Sequence, residues 1–195
     1  MSNELEAILS FDSESLRQSL TAGGDPNKHL EGQSLLEWAC AVGNEEAAIL
    51  LLGSGADPNT RTDKGETPLM LASYSGLLGA VRAMLTCQVK LDALDELGRD
   101  ALMLAAKGGR ADGVALLCEA GASATRRDFE GRTALQWALV EGDNRDAVTA
   151  LIAHGALAGD QAAGDTAMQY AGQLGRHLSA EVILGAKNSG ASLKS

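Results

Sequence analysis

Glycine recurs in this sequence with a fixed step. Gly32, Gly65, Gly98, Gly131 and Gly164 stand 33 residues apart, and a second series, Gly43, Gly76, Gly109, Gly142 and Gly175, follows each of them by eleven. Ala39, Ala72, Ala105, Ala138 and Ala171 hold a third register, seven after the first glycine. A unit this short cannot bury a core alone, so a fixed period of this length limits the chain to an array in which each unit stacks on its neighbours.

Each unit reads as helix, turn, helix and protruding loop. Two residues after the first glycine stand Ser34, Thr67, Asp100, Thr133 and Thr166, whose side chains accept hydrogen bonds from the free amides at a helix start. Leu36, Leu69, Leu102, Leu135 and Met168 follow, and the alanine series three positions later shares their helix face. The glycine at eleven then closes that helix in a left-handed cap. A second apolar run, clearest at residues 47–52 and 114–118, ends at Gly55 or Gly121, and turn-prone residues such as Ala56-Asp57-Pro58-Asn59 lead back to the next unit. Neither helix reaches the ~12–15 residues an isolated helix needs in water, so stacking must hold both. Composition agrees with an all-α array: Ala, Leu and Gly fill 86 of 195 positions, while Phe, Trp and Tyr supply two each.

Gly65-Glu66-Thr67-Pro68-Leu69-Met70-Leu71-Ala72, then Gly76, with Gly55-Ala56-Asp57-Pro58-Asn59 in the preceding loop, resembles the ankyrin repeat. That family's pattern is G-x-T-P-L-H-x-A-A-x-x-G followed by L-L-L and G-A-D-x-N, and the likeness covers roughly residues 13 to 185. It implies an ankyrin-repeat solenoid of stacked helix-turn-helix units with projecting β-turn loops, or fingers, along one edge. The expected organisation is one domain over residues 1–186, with a cap at 1–27 and repeats starting near 28, 61, 94, 127 and 160. Residues 187–195, polar with Gly and Ser, read as a disordered tail.

The departures from the pattern also carry expectations. The family's His is replaced by Glu37, Met70, Met103, Gln136 and Gln169, and only Pro68 keeps the Pro, which implies a weakened hydrogen-bond network. The unit from Gly131 has one extra residue before Gly155 and one fewer before Gly164, so its helix-helix turn and the next finger should be altered.

Charge and targeting signals narrow the partners. The net charge of −10 disfavours nucleic acid and anionic lipid. Acids stand near the start where a secretory signal would carry Lys or Arg, and no apolar run approaches the ~20 residues that span a bilayer. A cytoplasmic protein is expected, and the Ala, Gly and Arg bias suggests a bacterial source. Cys40, Cys87 and Cys118 form no Cys-x-x-Cys pair and read as free thiols.

Motifs that carry chemistry are missing. The chain has no phosphate-binding G-x-x-x-x-G-K-[ST] loop, no H-E-x-x-H helix and no G-x-S-x-G elbow. Gly53-Ser54-Gly55 reads as a helix end, and His29, His154 and His177 fall at three different places in the repeat. The expectation is no enzyme, no metal and no cofactor.

What remains is a surface. The resemblance implies that fingers and the exposed side of each first helix face a partner; these give 30 sites with seven basic and eight acidic residues, near balance in a strongly acidic chain. That number matches the ~20–30 residues a side of a standard protein interface. The candidate contact residues are Arg61, Lys64, Glu66, Tyr74, Leu97, Arg99, Lys107, Arg127, Phe129, Arg132, Val140 and Glu141, because aromatic and Arg side chains are the usual anchors of interfaces. The competing reading tucks Phe129 and Leu97 against neighbouring fingers and pairs the charges across fingers, while Trp38, Trp137 and Tyr170 pack between repeats. The function expected is a non-catalytic module, monomeric alone, that binds another protein as an adaptor or stoichiometric inhibitor. Alternatives are a toxin-neutralising immunity-type protein, a self-associating structural protein, or a small-molecule or enzymatic role in the concave groove.

Overall fold

The computed structural model describes residues 3–158 and 161–192. The described residues form twelve helices in pairs: α1 (Asn3–Leu9) with α2 (Ser13–Thr21), α3 (Leu35–Val42) with α4 (Glu45–Gly53), α5 (Pro68–Ser75) with α6 (Leu78–Leu85), α7 (Ala101–Lys107) with α8 (Ala111–Glu119), α9 (Ala134–Trp137) with α10 (Arg145–Ala153), and α11 (Gln161–Gln173) with α12 (His177–Ser192). First helices stack on first helices from α1 to α11, and second helices on second helices from α2 to α12. The result is a two-layered solenoid. Its first finger closes as an antiparallel hairpin of β1 (His29–Leu30) and β2 (Gln33–Ser34).

The repeated residues do what their spacing requires. Leu36, Leu69, Leu102 and Leu135 are buried between units, and Ala39, Ala72, Ala105, Ala138 and Ala171 are fully buried where the helices approach. Ser34, Thr67 and Asp100 each accept the amide three residues on, at 3.2, 3.3 and 2.9 Å. The return bond to the N-cap amide, expected to be weak without His, comes from other side chains: Glu37 Oε2 accepts from Ser34 N at 2.8 Å and Gln136 Oε1 from Thr133 N at 3.0 Å. Met70 Sδ takes the amide of Thr67.

Successive units are tied at both helix ends. Leu77, the N-cap of α6, offers no side-chain acceptor, and Glu45 of the preceding unit accepts from Gly79 N and Ala80 N instead. Asp143 does the same for α12, taking the amides of Leu178 and Ser179 at 2.9 and 2.8 Å. In the other direction, Asn44 donates to Ile8 O, Arg110 to Tyr74 O and Arg176 to Leu139 O, satisfying the last carbonyls of the earlier first helices. The loops are stitched by asparagine: Asn27 bonds Gly55 O and Asp57 N, and Asn59 bonds Gln88 O and Lys90 N. This is the physical reason for Asn at the end of the G-A-D-P-N segment.

Two expectations about the C-terminal end need correction. Among the described residues the last unit forms no finger: α11 starts at Gln161, so Gly164 and Thr166 lie inside a helix, and Asp160 falls outside the described residues. Three residues before the first glycine, the second to fourth units carry Thr62, Asp95 and Asp128, whose oxygens hold the finger amides; here the position is Gln161, followed by two alanines, and the segment joins the helix. The expected tail from residue 187 is helical as far as Ser192. The altered turn after Gly131 is present: α9 has 4 residues, and Asn144 turns back to Ala138 O.

Leu102 is buried in the central unit, so Leu102→Ala removes contacts on both sides at once. The expected loss is ~2–5 kcal/mol. A urea titration followed by circular dichroism checks it: the midpoint should fall well below wild type.

Candidate protein-binding surface

Each central finger is built around one buried aspartate. Asp95 Oδ1 accepts the amides of Leu97 and Arg99 at 2.9 and 2.8 Å, and Asp128 Oδ1 those of Glu130 and Arg132 at 3.0 and 2.8 Å. The second oxygen of each holds an arginine: Arg99 Nε lies 2.7 Å from Asp95 Oδ2, and Arg132 Nε 2.9 Å from Asp128 Oδ2. Asp128 Oδ2 also accepts Trp137 Nε1 at 2.9 Å. Burial works against charge on Asp128, but these bonds outweigh it and hold its carboxyl below the usual carboxylate range.

The two arginines converge on one aromatic ring. Arg132 stacks on Trp137 with its guanidinium 4.1 Å from the ring centroid, and Arg99 approaches the same ring at 5.3 Å. Lys107, on α7, stands 5.8 Å from Trp137 and 5.3 Å from the Tyr74 ring, and its Nζ is 3.1 Å from Glu141. Tyr74 donates its hydroxyl to Glu141 Oε2 at 2.9 Å, a bond across 67 residues of sequence that spans the helix between them. Accepting that proton bond, Glu141 raises the Tyr74 pKa. Glu66 lies 3.8 Å from Arg99 and completes the row. Beneath Tyr74, Glu66, Leu71, Arg99, Leu104 and Lys107 enclose a shallow pocket of about 200 Å³.

The expected contact residues fall into three groups. Glu66, Tyr74, Arg99, Lys107, Arg132 and Glu141 form one row, in which Arg99, Lys107 and Arg132 face Trp137 and Glu66, Tyr74 and Glu141 bind or face Arg99 and Lys107. Arg61 and Arg127 work inside their fingers: Arg61 Nη1 donates to Gly65 O and to Leu94 O of the next finger, at 3.2 and 2.7 Å, and Arg127 Nη1 donates to Gly131 O at 2.8 Å. Lys64, Leu97 and Phe129 mark the finger tips, which are linked by Glu96 N to Lys64 O and Phe129 N to Leu97 O. Val140 is half-buried against the core.

Phe129 satisfies part of each reading of the sequence. Its ring rests on Gly98 of the preceding finger, where a Cβ would sit 2.6 Å from Phe129 Cδ1 at a backbone φ of +77°, so only glycine fits. Yet Phe129 remains 73% exposed, with Leu97 and Tyr74 each at 38%. Asp95, Asp128 and the stacked face of Trp137 were missed as parts of the surface. The repeated Asp-x-x-Gly-Arg of residues 95–99 and 128–132 was the available signal.

A stack of helix pairs with an ordered row of cations, aromatics and fingers defines an interaction scaffold. The family model for ankyrin repeats, three copies long, matches residues 6–93, 36–128 and 78–161. The chain belongs to the ankyrin repeat family, whose repeats are protein–protein interaction modules. A crystal structure of an ankyrin repeat domain from Acinetobacter baumannii AYE superposes with a TM-score of 0.75 at 26% identity, covering 94% of this chain and 96% of that one. Among curated relatives, a putative palmitoyltransferase ZDHHC13 from Danio rerio is 31% identical over 125 residues, 62% of this chain and 19% of that protein. Rabankyrin-5 from Mus musculus is 39% identical over 79 residues, 39% of this chain and 7% of that protein. The chain thus covers under a fifth of the length of these two relatives. Among the described residues no helix is long and apolar enough to cross a membrane.

The Asp128 carboxylate gives the surface a pH dependence. Its pKa is lower folded than unfolded, so its contribution is fully present above the unfolded value of about 3.8 and is lost as pH falls through the folded value. Asp128→Asn should cost ~1–3 kcal/mol at pH 7. The gap in melting temperature from wild type should shrink steadily below pH 4, as measured by thermal denaturation across pH 2.5–7.

Proposed function

We propose that this protein is a non-catalytic, cytoplasmic adaptor or stoichiometric inhibitor that captures another protein on the fingers of residues 61–66, 94–99 and 127–132 and on the first-helix face beside them. The observation that carries this reading is Phe129, a phenylalanine 73% exposed at the tip of a rigid finger, next to Leu97 and a row of arginines already fixed by stacking on Trp137. Side chains immobilised before binding lose little entropy on association, which suits an interface anchor. The −10 net charge falls mainly outside this surface, where acids and bases pair one against another.

The chemistry of the groove favours a protein over a small molecule. Its pocket of about 200 Å³ is below the ~300–1,000 Å³ typical of ligand sites. Burial raises the thiol pKa of Cys118 to about 11 and pushes that of Cys40 up as well, so neither supplies a thiolate nucleophile near neutral pH. The acyltransfer in the name of the zebrafish relative is not carried to this chain, which matches 19% of that protein.

The test is capture from a lysate of the source organism with immobilised wild type and a Leu97→Ala, Phe129→Ala double variant, both shown to be folded by circular dichroism. The variant should retain at least tenfold less of the captured partner. Equal recovery by both proteins overturns the finger reading.

A further inference from the structure

The N-terminal cap breaks the rule that its own successors follow. At the end of α3, α5, α7 and α11, the residue after the turn donates its amide five residues back: Asn44 to Ala39 O, Leu77 to Ala72 O, Arg110 to Ala105 O and Arg176 to Ala171 O, at 2.8 to 2.9 Å. The residue between is Gly43, Gly76, Gly109 or Gly175, each at positive φ. In the cap the same bond runs from Asp12 N to Ala7 O at 2.8 Å, and the residue between is Phe11, at φ +59°. A bulky side chain therefore occupies a left-handed position that glycine fills elsewhere in the molecule.

Phe11 is 57% exposed and Leu9, two residues before it, is 40% exposed, while the buried core beneath is made by Leu5, Ala7 and Ile8. Around this apolar pair the charge is one-sided. Glu6 lies one turn before Leu9 on the exposed face of α1, Asp12 follows Phe11, and Glu14 and Glu46 flank Arg17 at 3.9 Å each. Residues 1–46 hold nine acidic side chains against Arg17 and Lys28; of the nine, Glu37 is buried at the start of α3 and Glu45 is bonded to the start of α6, and the remaining seven still outnumber the two cations. Both cations are already committed, Lys28 to Glu4 at 3.1 Å.

We propose that the N-terminal cap is a second docking surface, separate from the fingers, for a lysine- and arginine-rich amphipathic segment of another protein whose apolar side chain seats on Phe11 and Leu9. An exposed aromatic beside an aliphatic side chain supplies the anchor, and the surrounding carboxylates supply complementarity to cations. The apolar face of an amphipathic helix is the form in which such segments present their anchors. The site lies at the far end of α1 from the finger edge, so it goes beyond the function proposed above and does not depend on it.

The test uses the full chain and a fluorescein-labelled peptide of Leu and Lys, with leucines at helical spacing, in fluorescence anisotropy at two salt concentrations. Wild type and the Leu97→Ala, Phe129→Ala variant should bind it equally, more weakly at high salt, and a peptide with Glu in place of Lys should not bind. Phe11→Gly should weaken binding at least tenfold while melting at the same or a higher temperature, because glycine suits the left-handed turn. Equal binding by Phe11→Gly would reduce the effect to bulk charge and overturn the proposal, as would no binding by wild type. A lower melting temperature for Phe11→Gly assigns the ring to folding, and a concentration-dependent dimer of wild type that Phe11→Gly abolishes assigns the surface to a second copy; either result also overturns it.

Discussion

From α1 to α10 this molecule rests on contact between units whose helices are too short to stand alone. α3 and α5 have 8 residues each and α7 has 7, well under the ~12–15 needed for marginal helicity in water. Their stability comes from the alanine contacts at positions 39, 72, 105 and 138, which carry no side-chain entropy to lose and let backbones approach closely. The leucines one turn earlier add apolar burial on the same face. The finger geometry follows from this, because a loop holds its shape only when both flanking helices are held.

The binding surface is built by a different economy. In the helices the repeated residues are apolar and interchangeable, whereas in the two fingers of residues 94–99 and 127–132 one buried aspartate organises the turn and recruits an arginine four residues later. Arg99 and Arg132 then share the face of Trp137, an arrangement in which each cation offsets part of its desolvation through the ring and its own carboxylate. Phe129 and Leu97 stand outside that network, exposed at the tips. The surface thus divides into a fixed polar floor and an apolar rim.

The parts legible in the sequence are those in which one residue type has one physical use. Glycine at a left-handed cap, a hydroxyl or carboxylate at an N-cap, and leucine three before alanine specify the first helices of the first three full units almost to the residue. The last finger was not legible from its glycine, because Gly164 sits in the periodic register yet has the longer Gln161 where the second to fourth units carry the short Thr62, Asp95 or Asp128 that holds the turn. Trp137 was legible as a packing residue, and it is buried; that its face also receives two guanidinium groups depends on Asp95 and Asp128, which only the folded finger brings beside it. Val140 shows the converse: its position in the unit suggests exposure, and it lies beyond the shortened α9, half-buried against the core.

The bonds at the helix ends bear on how such a chain can be rearranged. Glu45 completes the start of a helix that belongs to the next unit, and Arg110 completes the end of a helix that belongs to the unit before. The units joined in this way therefore hold only part of their own capping apparatus, and the rest is matched to one particular neighbour. Units of this solenoid are consequently not interchangeable modules: swapping, deleting or duplicating a single unit brings together helix ends whose complementary side chains lie elsewhere. Recombination in such an array is constrained to cut points where both halves of a cap travel together.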